Sequence, residues 1–289
     1  MVNANAVLVK HQLNWKNNFY MRQRTITALV LLAIVFTFMG FGGIPFAVFI
    51  SLVMAIAGYE WCRLFNKAGY APHQWFVVVA ILGYILVSLL GIESIFPFYI
   101  LGFVFVSLLL AINSFESDRE KAIFNLLIQM SGVFYLGEFG LSFIRLRNLP
   151  QGGWWLFFFI AITALGDTAA LFVGKPFGKH KLGKSVSPNK SWEGLIAGVV
   201  IASFTGLIFS FFAKEWFQIP PLWAILFGGG VYLVSVIGDF GISMIKRWSG
   251  EKNSSELLPG HGGILDRIDT HLWSATLGYH ILIWFVLSA

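Results

Sequence analysis

A chain of 289 residues with 57% hydrophobic, 17% aromatic and only 12% charged side chains, and a mean hydropathy of +0.75, is not an ordinary soluble domain, whose apolar share is roughly 45–50%. It reads as a membrane protein, and its one cysteine, Cys62, excludes an internal disulfide and a cysteine-based metal cluster. The net charge of +6 is dispersed between apolar runs rather than gathered on one aromatic-laced face. That speaks against nucleic acid and for anionic lipids and nucleotide phosphates as partners.

Residues 1–24 are polar, with Lys10, Lys16, Arg22 and Arg24 ahead of the first apolar run. No short apolar core with a small-residue cleavage site follows, so an uncleaved anchor is expected. A span needs about 20 mostly apolar residues. The candidates are Thr25 to Phe41, Pro45 to Phe65, Trp75 to Leu90, Ile95 to Ile112, Ile123 to Ile144, Trp154 to Val173, Trp192 to Ala213, Leu222 to Ile245 and Ile264 to Leu287. The expected fold class is therefore all-α, a polytopic integral membrane protein with about nine transmembrane helices. Residues 1–24 form a cytoplasmic segment, 25–150 the N-terminal helices and 151–289 the C-terminal catalytic region of one membrane domain. The 30 glycines suit close helix packing in lipid.

Positive charge in short loops marks the cytoplasmic side. It places the loops holding Arg63 and Lys67, Arg119 and Lys121, Lys175 to Lys190, and Lys246 to Lys252 inside. Lys214 and the pair Arg145 and Arg147 fall opposite; the two arginines are the misfit, resolved either by snorkelling or by an error in a span. Trp154, Trp155, Trp192 and Trp273, near span ends, read as an interfacial belt. Glu138, inside the fifth span, has no evident role.

Two stretches concentrate what charge there is. In Ser243 to Thr270, Pro259 ends one element, Gly260, Gly262 and Gly263 let backbone approach a ligand closely, and Asp266 and Asp269 share a face of the following helix. In Gly166 to Gly194, Ser187 is expected to cap a helix whose first position is Pro188. Free N–H groups and Lys190 would then meet a phosphate on one turn. Asp167 and Asp239 fall within the sixth and eighth spans, where a carboxylate costs about 2.5–3.5 kcal/mol and needs a partner or a cavity. An ion pair of Asp239 with Lys246 or Arg267 would meet that need. So would a magnesium site shared by Asp239 and Asp266 with Asp269 or Asp167 close by, since magnesium takes one or two carboxylates and completes its shell with water and phosphate oxygens. His261 fits a phosphate or ribose contact or a hydrogen bond that steadies its turn. No Ser-His-Asp ordering is legible around Ser243.

Ser-x-x-Lys-Arg at 243–247 and Pro-Gly-His-Gly-Gly-x-x-Asp-Arg-x-Asp at 259–269 resemble the signature of phosphatidate cytidylyltransferases, the membrane CDP-diacylglycerol synthases. The Asp-Thr-x-Ala run at 167, the Gly-x-x-Phe-Gly turn at 174 and the Ser-Pro-x-Lys-x-x-Glu-Gly segment at 187 are similar to the same family. The resemblance covers about residues 160–289 and implies a reaction in which phosphatidic acid and CTP give CDP-diacylglycerol and pyrophosphate, with Mg2+ and room for a second cation. On that reading Lys246, Arg247, Lys252, His261, Arg267 and Asp269 are catalytic. Ser187, Asn189, Lys190, Ser243, Gly262 and Gly263 contact substrate, and Asp239, Asp266 and Asp167 hold metal. Replacing Asp239 or Asp266 by Asn is expected to abolish turnover in a protein that still inserts. The implied setting is a bacterial inner membrane with the site facing the cytoplasm, and a homodimer is compatible with it. Asn253, Leu171, Asn189 and Ser191 depart from the family's usual residues. Asn253, which loses a charge, leaves room for a paralogue acting on another lipid phosphate. A polytopic transporter with buried acidic ion sites is the rival class, although the paired halves usual there are not visible.

Overall fold

The structure, a computed structural model, describes residues 4–92, 94–213 and 219–286; Lys214 and Leu287 lie outside the described residues. Among these the fold is nearly all helix. Each expected apolar span falls in one helix: α1 (Ala4–Phe41), α2 (Gly43–Lys67), α3 (Gln74–Leu89), α4 (Phe96–Phe115), α5 (Arg119–Asn148), α6 (Gly152–Phe177), α7 (Trp192–Phe212), α8 (Pro221–Trp248) and α9 (Leu265–Ile281). Helix α9 passes into a π-helical turn over Leu282–Val286.

Six of the helices, α2 and α4 to α8, are long and apolar enough to cross a membrane. The Thr25–Phe41 part of α1 and the whole of α3 are apolar but shorter, and α9 holds Asp266, Arg267, Asp269 and His271 in its first two turns. Among the described residues, six of the expected crossings thus meet the length and apolarity of a span.

Helices α2 to α5 pack together, α6 to α9 form a second group, and α5 joins them through α6 and α9. Small residues make the second group tight. A Cβ on Gly206 would strike the carbonyl oxygen of Ala224 on α8, and one on Gly228 the carbonyl oxygen of Ala202 on α7. The two backbones meet at a distance no larger residue permits, as expected where dispersion rather than apolar burial draws helices together. Gly166 of α6 and Gly198 of α7 close on the ring of Tyr232, aiming its hydroxyl at Asp167, 3.2 Å away.

The misfit arginines have specific partners. Arg147 donates from Nε to the Met39 carbonyl at 2.7 Å and from a terminal nitrogen to the Gly40 carbonyl at 3.3 Å, satisfying the end of α1 from the end of α5. Arg145 pairs with Glu138 at 3.5 Å, and Glu138 accepts the Tyr84 hydroxyl at 2.9 Å. A half-buried acid and base thus compensate each other seven residues apart on one helix. Of the expected tryptophan belt, Trp154 and Trp192 are exposed while Trp155 is buried. Trp273 turns inward to donate to the Tyr135 hydroxyl at 3.0 Å. The belt reading fails at these two because α9 and α6 pack those faces against α5. Cys62 is fully buried.

One departure from helix matters for the site. Residues Lys181–Gly183 (β1) and Ser187–Ser191 (β2) form an antiparallel hairpin between α6 and α7. The expected helix with Ser187 as cap and Pro188 first does not form. A residue before proline is pushed into extended backbone, and the real cap is Ser191, whose Oγ accepts the Gly194 N–H at 3.2 Å. Glu193 in that first turn locks the hairpin base by accepting the backbone N–H of His180 at 3.1 Å and meeting its ring Nδ1 at 2.7 Å.

Candidate active site

The hairpin closes over a cavity of about 270 Å³ lined by α6, α7 and α8, with Asp167, Ser187, Asn189, Lys190, Tyr232 and Asp239 in its wall. Lys190, carried on β2, forms an ion pair with Asp239 and lies 4.6 Å from the centre of the Phe240 ring. Asp239 also accepts the Ser243 hydroxyl, one helical turn on, at 3.0 Å. Neither partner in the ion pair is sealed, with side-chain exposures of 28% and 22%. Lys190 meets a carboxylate here instead of a phosphate-binding helix start, so the corrected position still puts it in the site.

A second pair sits where α8 ends and α9 begins. Lys246 donates to Asp266 Oδ1 at 2.7 Å, and the two side chains are only 9% and 5% exposed. The other oxygen, Oδ2, accepts the N–H groups of Ser254 and Gly263 at 2.8 and 2.9 Å and lies 3.0 Å from the Ser254 hydroxyl. Every side of this carboxylate is engaged by the chain. Lys246 and Asp239 are thus not partners, and the ion pair weighed from spacing alone forms with different bases.

The signature glycines serve an internal purpose. Gly262 has φ +79°, open to glycine at little cost, and a Cβ there would lie 2.6 Å from Asp266 Oδ2. A Cβ on Gly263 would lie 2.1 Å from Ser254 Oγ and 2.4–2.5 Å from both Glu60 oxygens. The backbone comes close, as expected, to this chain's own carboxylates. The physical reason is that a turn carrying two N–H groups into carboxylates has no space for a side chain.

Asp269 is 7% exposed, and among the described residues its carboxylate accepts only the N–H of Thr270, at 2.9 Å. It lies within electrostatic reach of Asp239, Lys246 and Asp266, and Asp167 lies within reach of Lys190 and Asp239. The acids and the two lysines therefore form one run of interacting charge from α6 to α9. Among the described residues no three His, Cys, Asp or Glu side chains gather to hold a metal by themselves.

Other expected site residues stand outside this chain of charge. Arg247 is a strut: Nε donates to the Val186 carbonyl in the hairpin turn at 3.2 Å, and a terminal nitrogen to the Glu251 carbonyl at 3.1 Å. Lys252 and Arg267 are exposed, and neither lines the cavity. His261 faces its own turn, with Nδ1 3.4 Å from the Pro259 carbonyl, the turn-steadying alternative. Asn253 packs its Cβ beside Gly262 and is not in the cavity wall.

The residue that sequence reasoning misses is Glu60 of α2, 1% exposed and hydrogen-bonded to the signature stretch about 200 positions away. The signal was present, since an acid inside an apolar run needs a partner. Arg63, one turn on, donates to the Ser254 carbonyl at 2.7 Å.

With that geometry in view, the chain's relatives are informative. Residues 22–285 match the model of the cytidylyltransferase family. The chain is 34% identical over 273 residues to the phosphatidate cytidylyltransferase of Pseudomonas aeruginosa, covering 91% of this chain and 97% of that protein. It is 33% identical over 275 residues to that of Bacillus subtilis, covering 92% and 98%, and 28% identical over 292 residues to that of Synechocystis, covering 90% and 96%. A match across both helix groups, rather than the signature half alone, makes this chain a member of the cytidylyltransferase family.

Proposed function

We propose that the chain is a phosphatidate cytidylyltransferase, moving CMP from CTP to phosphatidic acid and releasing pyrophosphate, and that the 270 Å³ cavity receives the nucleotide phosphates. The observation that carries this reading is the partly open Lys190–Asp239 pair in the cavity wall. An anion and a cation that hold each other can exchange partners for a triphosphate and its counter-cation.

An oxygen of the lipid phosphate attacks the α-phosphorus of CTP, and the bond to the β-phosphate oxygen breaks. The nucleophile arrives already anionic, which removes the need for an activated serine or histidine. Positioning and charge neutralisation then carry the catalysis. Lys190 turns from Asp239 to the phosphates. Ser243 holds Asp239 in place, Tyr232 does the same for Asp167, and Arg247 keeps the hairpin roof on α8. Lys252 and Arg267, exposed outside the cavity wall, are suited to drawing in polyanions, and His261 steadies its turn.

The donor set is hard carboxylate oxygen, which fits magnesium's demand for one or two such ligands. Asp167 and Asp269 each have one oxygen engaged, and Asp239 would offer its own edge once Lys190 turns away. Asp266, also expected as a ligand, would reach a cation only by giving up Lys246. A cation held by these carboxylates would supply charge neutralisation for the triphosphate and the leaving pyrophosphate.

The reading extends to topology. The basic ends of α2 and α8 and the hairpin share the site's side, which favours a cytoplasmic face in a bacterial inner membrane. Helices α1, α3 and α9 would complete nine crossings within one membrane domain, in a monomer or a homodimer. The test is a matrix of purified protein, lipid phosphates and nucleoside triphosphates with and without magnesium, read as pyrophosphate release. Release is expected with CTP and phosphatidic acid plus magnesium. Release with a different lipid phosphate alone identifies the paralogue, and no release with any pair contradicts the enzyme.

A further inference from the structure

The signature stretch is held in place mainly by helices whose sequence reads as merely hydrophobic. Thr27 of α1 donates to the Pro259 carbonyl at 3.3 Å, Lys67 of α2 pairs with Glu251 at 3.8 Å, and Arg63 reaches the Ser254 carbonyl. Glu60 is the centre of this attachment. Its Oε1 accepts the Ser255 hydroxyl at 2.5 Å and the Ile264 N–H at 3.0 Å; its Oε2 accepts the Ser254 hydroxyl at 2.8 Å and the Leu265 N–H at 2.8 Å.

We propose that Glu60 is a positioning residue for the reaction, a carboxylate delivered from α2 that caps α9 from outside and sets where Asp266 and Asp269 stand. The first N–H groups of a helix have no partner within it, and a negative charge there is favoured by the helix dipole. Ile264 and Leu265 present those groups at the start of α9, immediately before Asp266. The cap and the site share an atom as well: the Ser254 hydroxyl lies between Glu60 Oε2 and Asp266 Oδ2, at 2.8 and 3.0 Å. Helix α9 therefore cannot rotate or slide without breaking contacts on both carboxylates. Glu60 does not line the cavity, so its effect on chemistry runs through α9.

The charge and the shape of the carboxylate both matter. Each of its oxygens takes one hydroxyl and one backbone N–H, four donors in all. An amide in its place points an NH2 at two of those donors, leaving one buried backbone N–H unsatisfied. Gly263 is packed closely beside the carboxylate, since a Cβ there would lie 2.4–2.5 Å from both oxygens.

The test compares Glu60→Gln, Glu60→Asp and Ser255→Ala with Glu138→Gln, a control acid that pairs within α5 and with α3. Its turnover arm rests on the cytidylyltransferase reading; its exchange arm, hydrogen–deuterium exchange of purified protein without substrate, does not. Wild-type protein that releases no pyrophosphate would sink that reading and leave the exchange arm to decide this one. The expected result for Glu60→Gln is faster exchange confined to residues 253–268 and a kcat lower by about 10- to 100-fold, the range for lost support of a site's ligands. KM for CTP is expected to change less than about threefold, because Lys190 and the hairpin are untouched. Ser255→Ala is expected to show the same pattern weakly, Glu60→Asp to recover part of the kcat, and Glu138→Gln to leave exchange at 253–268 unchanged. The proposal is overturned if Glu60→Gln and Ser255→Ala leave exchange at 253–268 at the wild-type rate. It is equally overturned if both loosen the whole chain alike, or if kcat stays within about twofold of wild type while the wild type is active.

Discussion

Helix α8 carries one partner of each of two lysine–aspartate pairs, built from the same two residue types and opposite in character. Lys190–Asp239 is bridged across from a hairpin, is partly open and lines a cavity. Lys246–Asp266 is sealed, and its acid is also fixed by the Ser254 and Gly263 N–H groups. An ion pair shut off from water is a poor place to exchange partners, and removing one member strands the other; a partly open pair gives up little when its partners separate. The same chemistry is thus sealed in the last turn of α8 and partly open to solvent two turns earlier.

The largest expected effect comes from breaking the sealed pair. Asp266→Asn leaves the Lys246 ammonium uncompensated and is expected to cost about 3–5 kcal/mol, measured as a lower thermal unfolding midpoint in detergent. Turnover falls as a consequence. An unchanged midpoint would erase the distinction between the pairs. Next is Gly263→Ala, whose added methyl meets Glu60 and Ser254 and is expected to cost about 1–3 kcal/mol, seen in the same melt.

The open pair is expected to behave otherwise. Lys190→Ala should cost on the order of 1 kcal/mol or less while raising KM for CTP and lowering kcat. A melt as damaged as that of Asp266→Asn would show that this pair too is structural. The smallest effect lies far from both. Asp118 caps α5 by accepting the Lys121 N–H at 3.0 Å, which holds its carboxyl below the usual carboxylate range. A depressed folded-state value stabilises above the unfolded value and is lost as pH falls through the folded one. Exchange at residues 119–122, taken relative to the intrinsic amide rate at each pH, is therefore expected to quicken on acidification in the wild type. In Asp118→Ala it should already be fast and lack that acid-linked rise.

Much of this architecture was legible before any coordinates. Every apolar run became a helix, because span length and hydropathy are local properties. The burial cost of a carboxylate in an apolar segment was enough to single out Asp167 and Asp239, and both line the cavity. What failed was the identity of partners. Spacing along a helix proposes Asp239 with Lys246, and the fold instead brings Lys190 from a hairpin 49 positions away. Ser-Pro at 187–188 suits both a helix cap and an extended strand, and only the pairing with Lys181–Gly183 decides between them. Glu60 escaped notice because its four donors lie about 200 residues downstream, a separation that no local pattern encodes.

The central claim is that the partly open pair beneath the hairpin is where CTP is engaged. Its most direct test is pyrophosphate release by Asp239→Asn with CTP, phosphatidic acid and magnesium, beside its thermal unfolding midpoint. The predicted result is a kcat lower by at least ~100-fold with a midpoint close to wild type. Turnover within about threefold of wild type would contradict it.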